Sequence, residues 1–247
     1  MTLSTSNKND EYNEHSWNQW FAGLVDSKGY FLISRYGYTS LEITLDFQDE
    51  RVFYEIKQKL GGSVTTMPSS RSILYQLHDK DGIRCAVDRL NGLCRNNDRF
   101  AEVEQLCDNL KIPKLKLEKL DHYNGWFSGF FDGAGSIYYY FLTDEVRLII
   151  QVTAKKFEDC QPFPTFFGGF AAYDEKKMVY RWVIHEKETI NLFYEYIRLY
   201  PAKSSKLRRL ALVPRFFELV DSNIYKLDAS NVQHYHWRFF EKIWSSE

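Results

Sequence analysis

Between Glu195 and Glu218 the chain carries no acid, while Arg198, Lys203, Lys206, Arg208, Arg209 and Arg215 all fall there. Cations at that density can neutralise phosphate oxygens, which is the sequence-independent part of any grip on nucleic acid. A solvated helix face would carry the same charges. The lysines at 111, 114, 116 and 119 read as solubilising rather than contacting. Nineteen Phe and seventeen Tyr supply flat surfaces, which either fill a core or stack on bases. Other chemistry is thin. Cys85, Cys94, Cys107 and Cys160 form no C-x-x-C pair, and the six histidines form no H-x-x-x-H or H-E-x-x-H pattern. That spacing argues against zinc and against a disulfide framework.

At 247 residues and 44% hydrophobic, the chain makes one large domain or two small ones with a sizeable core. The net charge of −1 is low for a protein that grips a long duplex, although it leaves room for a local basic patch. No apolar run reaches the roughly 18 residues of a membrane span. The start, MTLSTSNKNDEYNEHSWNQW, lacks the apolar stretch of a secretory signal. It carries Asp10, Glu11 and Glu14 where a transit peptide is poor in acids. The expectation is a chain made where it works, or one whose presequence is gone.

These residues are positioned by a duplication. W-F-A-G-L-V-D-S-K-G-Y-F (Trp20–Phe31) is answered by W-F-S-G-F-F-D-G-A-G-S-I (Trp126–Ile137), with Gly29 and Gly135 106 apart. Leu60-Gly61-Gly62 matches Phe167-Gly168-Gly169, and Tyr75–His78 matches Tyr180–Val183. Each copy reads as helix, hairpin, helix, hairpin, helix. In the first, helices are expected at 17–26, 50–60, 81–93 and 99–110, with hairpins at 30–36/40–48 and 63–67/72–78. In the second, helices are expected at 123–132, 188–199 and 204–213, with strands at 136–141, 146–153, 169–173 and 179–185. Pro214 interrupts the last helix before 215–220, and a terminal helix covers 235–244. The divisions are a tail (1–14), a first repeat (15–111), a linker (112–122), a second repeat (123–221) and a C-terminal extension (222–247). Ala22, Gly23, Ser128 and Gly129 would let two helix backbones approach closely.

F-A-G-L-V-D-S-K-G (Phe21–Gly29) and F-S-G-F-F-D-G-A-G (Phe127–Gly135) resemble two copies of the LAGLIDADG motif. With the L/F-G-G positions and the hairpin spacing, the resemblance to LAGLIDADG homing endonucleases covers residues 15 to 220. The likeness is to single-chain members encoded in mitochondrial group I introns, in phrases such as Y-T-S-L-E-I-T (Tyr38–Thr44) and N-G-L-C-R-N-N-D-R (Asn91–Arg99). The resemblance implies an α+β (α/β) fold: two pseudo-symmetric repeats, two antiparallel sheets forming a saddle, and motif helices packed at the centre. It also implies a monomer with internal pseudo-two-fold symmetry and a mitochondrial location, with the chain organelle-encoded. In the family each motif's eighth residue is an acid that holds divalent metal against the scissile phosphates.

Here those eighth positions are Lys28 and Ala134. Alanine has no ligand atom, and a lysine repels a cation. The sixth positions, Asp26 and Asp132, remain, in a capping or orienting role. Two residues earlier on a helix lies about 200° around its axis, so they cannot replace the lost pair. Counting alternate residues from each motif glycine puts Leu32, Ser34 and Tyr36, then Glu42, Thr44 and Asp46, on the outward face of the first repeat. The second repeat presents Tyr138, Tyr140, Leu142, Arg147, Gln151 and Thr153. The face is aromatic and partly acidic, unlike a surface built to read duplex base edges. Lys203–Lys206 resembles a polar turn that the family places near the nucleic-acid backbone.

Three readings share this fold. The first is a catalytically inactive homing-endonuclease descendant that binds RNA or a ribonucleoprotein, as a group I intron maturase or as a component of an assembly such as the mitochondrial ribosome. It expects no cofactor and no membrane. The second is a site-specific or nicking DNA endonuclease with non-standard ligands, which needs Mg²⁺. The third is a structural protein that touches no nucleic acid.

Overall fold

The computed structural model describes residues 4–35, 38–143 and 145–246, with side chains from Asn13 onward. Helix α1 runs Ser4–Lys28. The expected tail at 1–14 is corrected here: from Ser4 it is one helix with the first motif, because no Gly or Pro interrupts the chain before Gly23. Its later turns bury Trp17, Trp20, Phe21, Leu24 and Val25 at helical spacing. The second motif helix, α5 (Trp126–Ala134), starts later than expected. Asn124 lies just before it, and its Oδ1 accepts the Trp126 N–H at 2.9 Å.

α1 and α5 pack backbone against backbone. A Cβ on Gly23 would lie 2.0 Å from the Trp126 carbonyl oxygen, and one on Gly129 would lie 1.8 Å from that of Trp20. Ala22 and Ser128 are buried beside them. The four small residues singled out in the sequence therefore line the crossing, with glycine at the two points of contact.

Each motif helix releases its chain into a four-stranded antiparallel sheet. The first, in order β1-β2-β4-β3, comprises β1 (Gly29–Ile33), β2 (Thr39–Asp46), β3 (Ser63–Met67) and β4 (Ser72–Leu77). The second, in order β5-β6-β8-β7, comprises β5 (Gly135–Phe141), β6 (Val146–Ala154), β7 (Phe170–Asp174) and β8 (Val179–Ile184). The register repeats as well: Gly29 pairs with Ile43, and Gly135 with Val152. Alternation buries Leu41, Ile43, Leu45, Ile73, Tyr75 and Leu77 in the first repeat, and Leu148, Ile150, Val152, Trp182 and Ile184 in the second. The paired glycines turn with positive φ (78° and 84° at Gly61 and Gly62, 69° and 75° at Gly168 and Gly169). Tyr75 Oη donates to the Gly61 carbonyl at 3.0 Å, and Trp182 Nε1 to the Gly168 carbonyl at 2.8 Å.

The covering helices are α2 (Glu50–Leu60), α3 (Lys80–Leu90) and α4 (Asn97–Leu110), then α6 (Phe157–Cys160), α7 (Pro162–Phe167), α8 (Lys187–Leu199), α9 (Lys206–Ala211), α10 (Val213–Asp221) and α11 (His234–Ser245). The counterpart of α2 is broken into α6 and α7 at Pro162, which lacks an N–H. The helix expected over 204–213 likewise separates into α9 and α10 just before Pro214. α3 stops at Leu90 rather than 93, because residues 91–96 fold back onto the motif helix. α11 seals the second repeat: Trp237, Phe240 and Trp244 ring the side chain of Tyr139. Phe127, Phe163, Phe167, Phe193 and Trp182 form one continuous buried cluster, so much of the aromatic excess is core.

Replacing Gly129 with alanine forces two helix backbones apart, a cost of about 3 kcal/mol or more. The expected outcome is a correspondingly lower denaturant midpoint with the m-value retained. An unchanged midpoint would mean that the helices do not cross this closely.

Candidate nucleic-acid interface and the motif ends

The sixth-position acids are tied across the helix pair. Trp126 Nε1 donates to Asp26 Oδ2 at 2.7 Å, and Trp20 Nε1 donates to Asp132 Oδ2 at 2.8 Å. Each acid also anchors the loop after a later helix of its own repeat. Asp26 Oδ2 accepts the Arg95 N–H at 2.6 Å. Asp132 accepts the Lys203 N–H at 2.7 Å and the Ser204 N–H at 3.0 Å. Burial pushes the Asp26 carboxyl up to about 7, and the hydrogen bonds from Arg95 and Trp126 only partly oppose it. Asp132 is also raised by burial, against hydrogen bonds from Lys203, Ser204 and Trp20 and the charge of Lys206. The two acids hold the fold together at the motif ends.

Lys28 stands exposed at the end of α1. Its stem lies over Gly133, where a Cβ would come within 2.8 Å of Lys28 Cγ. Ala134, on the other helix, offers only a methyl. Lys206 Nζ donates to the Asp132 carbonyl at 2.5 Å and lies 3.8 Å from Asp49. The Lys28 ammonium is held below the usual lysine range, first by lost hydration and then by the charges of Lys206 and Lys155. Among the described residues no three His, Cys, Asp or Glu side chains come together as a metal site. The chemistry at these positions is cationic and does not fit a divalent ion.

The outward faces follow the counted register. Leu32, Tyr138, Tyr140 and Leu142 are exposed, as is Asp46, and Ser34, Glu42, Thr44, Arg147, Gln151 and Thr153 are half-buried. Tyr36 lies outside the described residues. Tyr30, missed by counting from the third residue, joins this face and donates to Glu42 Oε2 at 2.5 Å. Arg181 was also missed; β8 sets it opposite Thr153. Both arginines of the second face are engaged by acids, Arg147 with Glu145 and Arg181 with Asp174. The described strand residues facing outward on the first sheet include no Lys or Arg.

The six-residue basic cluster is not one patch. Lys203 Nζ reaches Glu55 at 2.9 Å and sits 5.1 Å from the Trp20 ring centre. Lys206 caps the motif end. Arg209 packs 5.7 Å from the Trp244 ring centre and donates to that residue's carbonyl. Arg198 pairs with Glu195 at 2.9 Å and Arg215 with Glu218 at 2.7 Å. Arg208 alone is exposed and has no ion-pair partner among the described residues. Neighbours in sequence meet different elements because the run is divided among the end of α8, a loop, α9 and α10. Lys155, one residue past the end of β6, is the cation that sequence reading overlooked: it lies 20 residues beyond the motif glycine, paired in sequence only with Lys156 and outside the basic run.

An acid whose pKa is raised on folding stabilises the folded state below its unfolded value near 4, and that contribution is lost as pH rises through 7. Relative to Asp26→Asn, the native chain should therefore lose stability between pH 4 and pH 8, by at most about 1.4 kcal/mol per pH unit. Denaturation of both proteins across that range checks this; a difference that stays flat would show that Asp26 titrates normally.

The family model for "LAGLIDADG endonuclease" matches residues 127–215. The intron-encoded RNA maturase bI4 of Saccharomyces cerevisiae is 36% identical over 93% of this chain and 37% of its own length. The probable intron-encoded endonuclease aI2 of Debaryomyces hansenii is 31% identical over 100% of this chain and 40% of its own. The chain thus spans about two fifths of these two relatives. The intron-encoded DNA endonuclease ai2a of Dictyostelium discoideum is 30% identical over 96% of this chain and 79% of its own. Among solved structures, the homing endonuclease I-LtrWI bound to target DNA superposes with a TM-score of 0.71 over 95% of this chain and 98% of its own, at 15% identity. With both motif helices, both sheets and a relative matched over most of its length, the chain belongs to the LAGLIDADG endonuclease family.

Proposed function

We propose that the chain binds RNA and cleaves no strand. The observation that carries this reading is the pair of motif ends: Lys28 and Ala134 stand where the family's metal-holding acids belong, and Asp26 and Asp132 are committed to tryptophan and backbone N–H groups. Asp132 has both oxygens occupied and Asp26 accepts twice at Oδ2; carboxylates so engaged and turned inward are poor metal ligands. The outward faces support the same reading. They present tyrosines and few unpaired cations, a surface better suited to stacking on unpaired bases than to gripping a duplex by its phosphates. The name of the yeast relative, an RNA maturase, favours an intron RNA over a ribosomal one. An organellar origin follows from the same family reading. Tyr138, Tyr140, Gln151 and Arg147 are the proposed base-side contacts.

The endonuclease reading rests on the names of the other relatives and requires a metal. Two measurements separate the readings. RNA crosslinked to the native protein and sequenced should be enriched in a group I intron. Supercoiled DNA carrying the intron-less target junction should stay uncut at millimolar Mg²⁺. Mg²⁺-dependent nicking of that DNA, or crosslinked RNA with no enrichment, would overturn the proposal.

A further inference from the structure

We infer that the cleft at the motif ends is a phosphate seat, in which Lys28 and Lys155 take a backbone phosphate directly, with no divalent ion. This deepens the RNA-binding reading and rests on it for the identity of the ligand.

A cleft of about 570 Å³ opens beside the motif ends, room for a phosphate with its flanking sugars. Its lining includes Tyr30 from the first outward face and Thr153 and Val179 from the second. It is therefore continuous with the proposed binding surface on both sides. Four cations line it: Lys28, Lys155, Lys156 and Arg99. Two are engaged. Lys156 pairs with Asp98 at 2.8 Å, and Arg99 pairs with Glu102 at 2.7 Å and donates to the Gly29 carbonyl at 2.5 Å. Lys28 and Lys155 are exposed and have no hydrogen-bond or ion-pair partner among the described residues.

The acids on the same lining do not balance them. Asp98 is taken by Lys156. Asp159 is buried and accepts from Asn96 Nδ2 at 2.9 Å. Asp26 is buried and bonded to Trp126 and Arg95. Ala134 removes the acid from the opposite wall.

A lysine at a helix C-terminus is ordinarily explained by the helix dipole, and that could cover Lys28. It does not cover Lys155, which lies one residue past the end of β6. Like charges gathered with partial loss of hydration are unfavourable unless an anion fills the space between them. A phosphate diester suits the site: two ammonium groups can meet its free oxygens as point charges. An anion would then occupy the place where relatives need a cation.

The test uses the full chain and two probes. With inorganic pyrophosphate, the side-chain NMR signals of Lys28 and Lys155 should shift in a saturable manner. Magnesium chloride alone should move neither these signals nor those of Ser27 and Ala134. In the double variant Lys28→Gln, Lys155→Gln the pyrophosphate response should vanish while the rest of the spectrum is kept. With a group I intron transcript, the double variant should show a salt dependence of binding shallower by about 2 in log–log slope. Unmoved lysine signals, or saturable Mg²⁺ binding at the motif ends that competes with pyrophosphate, would overturn the seat. Binding of the transcript with an unchanged slope would overturn it too, while leaving the RNA reading intact. A pyrophosphate response without any transcript binding would do the reverse, leaving the seat and removing the RNA reading.

Discussion

Two helix backbones in contact at Gly23 and Gly129 set the rest of the molecule. Because the contact is glycine on carbonyl, α1 and α5 cannot slide or separate without leaving a void or a clash. Their C-terminal ends are thereby held side by side, and each chain leaves its helix at a glycine into a sheet on its own side. The cross-helix bonds Trp20–Asp132 and Trp126–Asp26 then fix the ends in register. Each acid also gathers a loop from farther along its repeat. One interface thus positions both sheets, both loops and the cleft between them.

The symmetry of that frame does not extend to its charges. Where the first turn of α4 presents Asp98, the first turn of α9 presents Lys206; each lies three residues past the one whose N–H bonds a motif acid, Arg95 and Lys203. Both side chains reach across to the other repeat, Asp98 to Lys156 at 2.8 Å and Lys206 toward Asp49 at 3.8 Å. Asp49 also accepts the Ser205 N–H at 2.7 Å. The polarity of the bridge is reversed from one side to the other, so each repeat presents the complement of its partner rather than a copy of itself. Two identical halves would set like charges against each other at both of these bridges. A duplicated chain that no longer needs to pair with itself is free to make this change, and it discourages homodimer-like pairing of one repeat with its own kind.

The scaffold was legible because its signals are periodic and local. The 106-residue offset, the paired glycines and alternating residues such as Leu41, Ile43 and Leu45 each report on a few neighbouring positions. Errors came where a remote contact overrode a local preference. The sequence over 91–93 continues a helical pattern, but the loop is drawn to Asp26. The basic run from Arg198 to Arg215 reads as one surface, yet Lys203, Arg209 and Lys206 are claimed by Glu55, Trp244 and Asp49, which lie far away in sequence. Lys155 was invisible for the same reason: a lysine pair after a strand, followed by Glu158 and Asp159, carries no signal until the fold brings Lys155 beside Lys28.

The pattern of what the two motifs keep and lose follows from the energetics of each position. Asp26 and Asp132 are buried, bonded to tryptophans of the opposite helix, and present in both copies. Removing either would strand an indole N–H and a loop N–H, each at a cost of about 1–3 kcal/mol. The eighth positions line a cleft, where Lys28 is exposed with only its stem over Gly133 and Ala134 is half-buried against the core. Only a metal would require an acid there, and the two copies now differ, lysine in one and alanine in the other. If the eighth-position acids had served stability, their loss would have weakened the helix ends; instead the ends are closed by Lys206 on the Asp132 carbonyl and by the Lys28 stem over Gly133. The bonds that fix the motif ends are thus made by Trp20, Trp126, Asp26, Asp132 and Lys206 rather than by the side chains at the eighth positions.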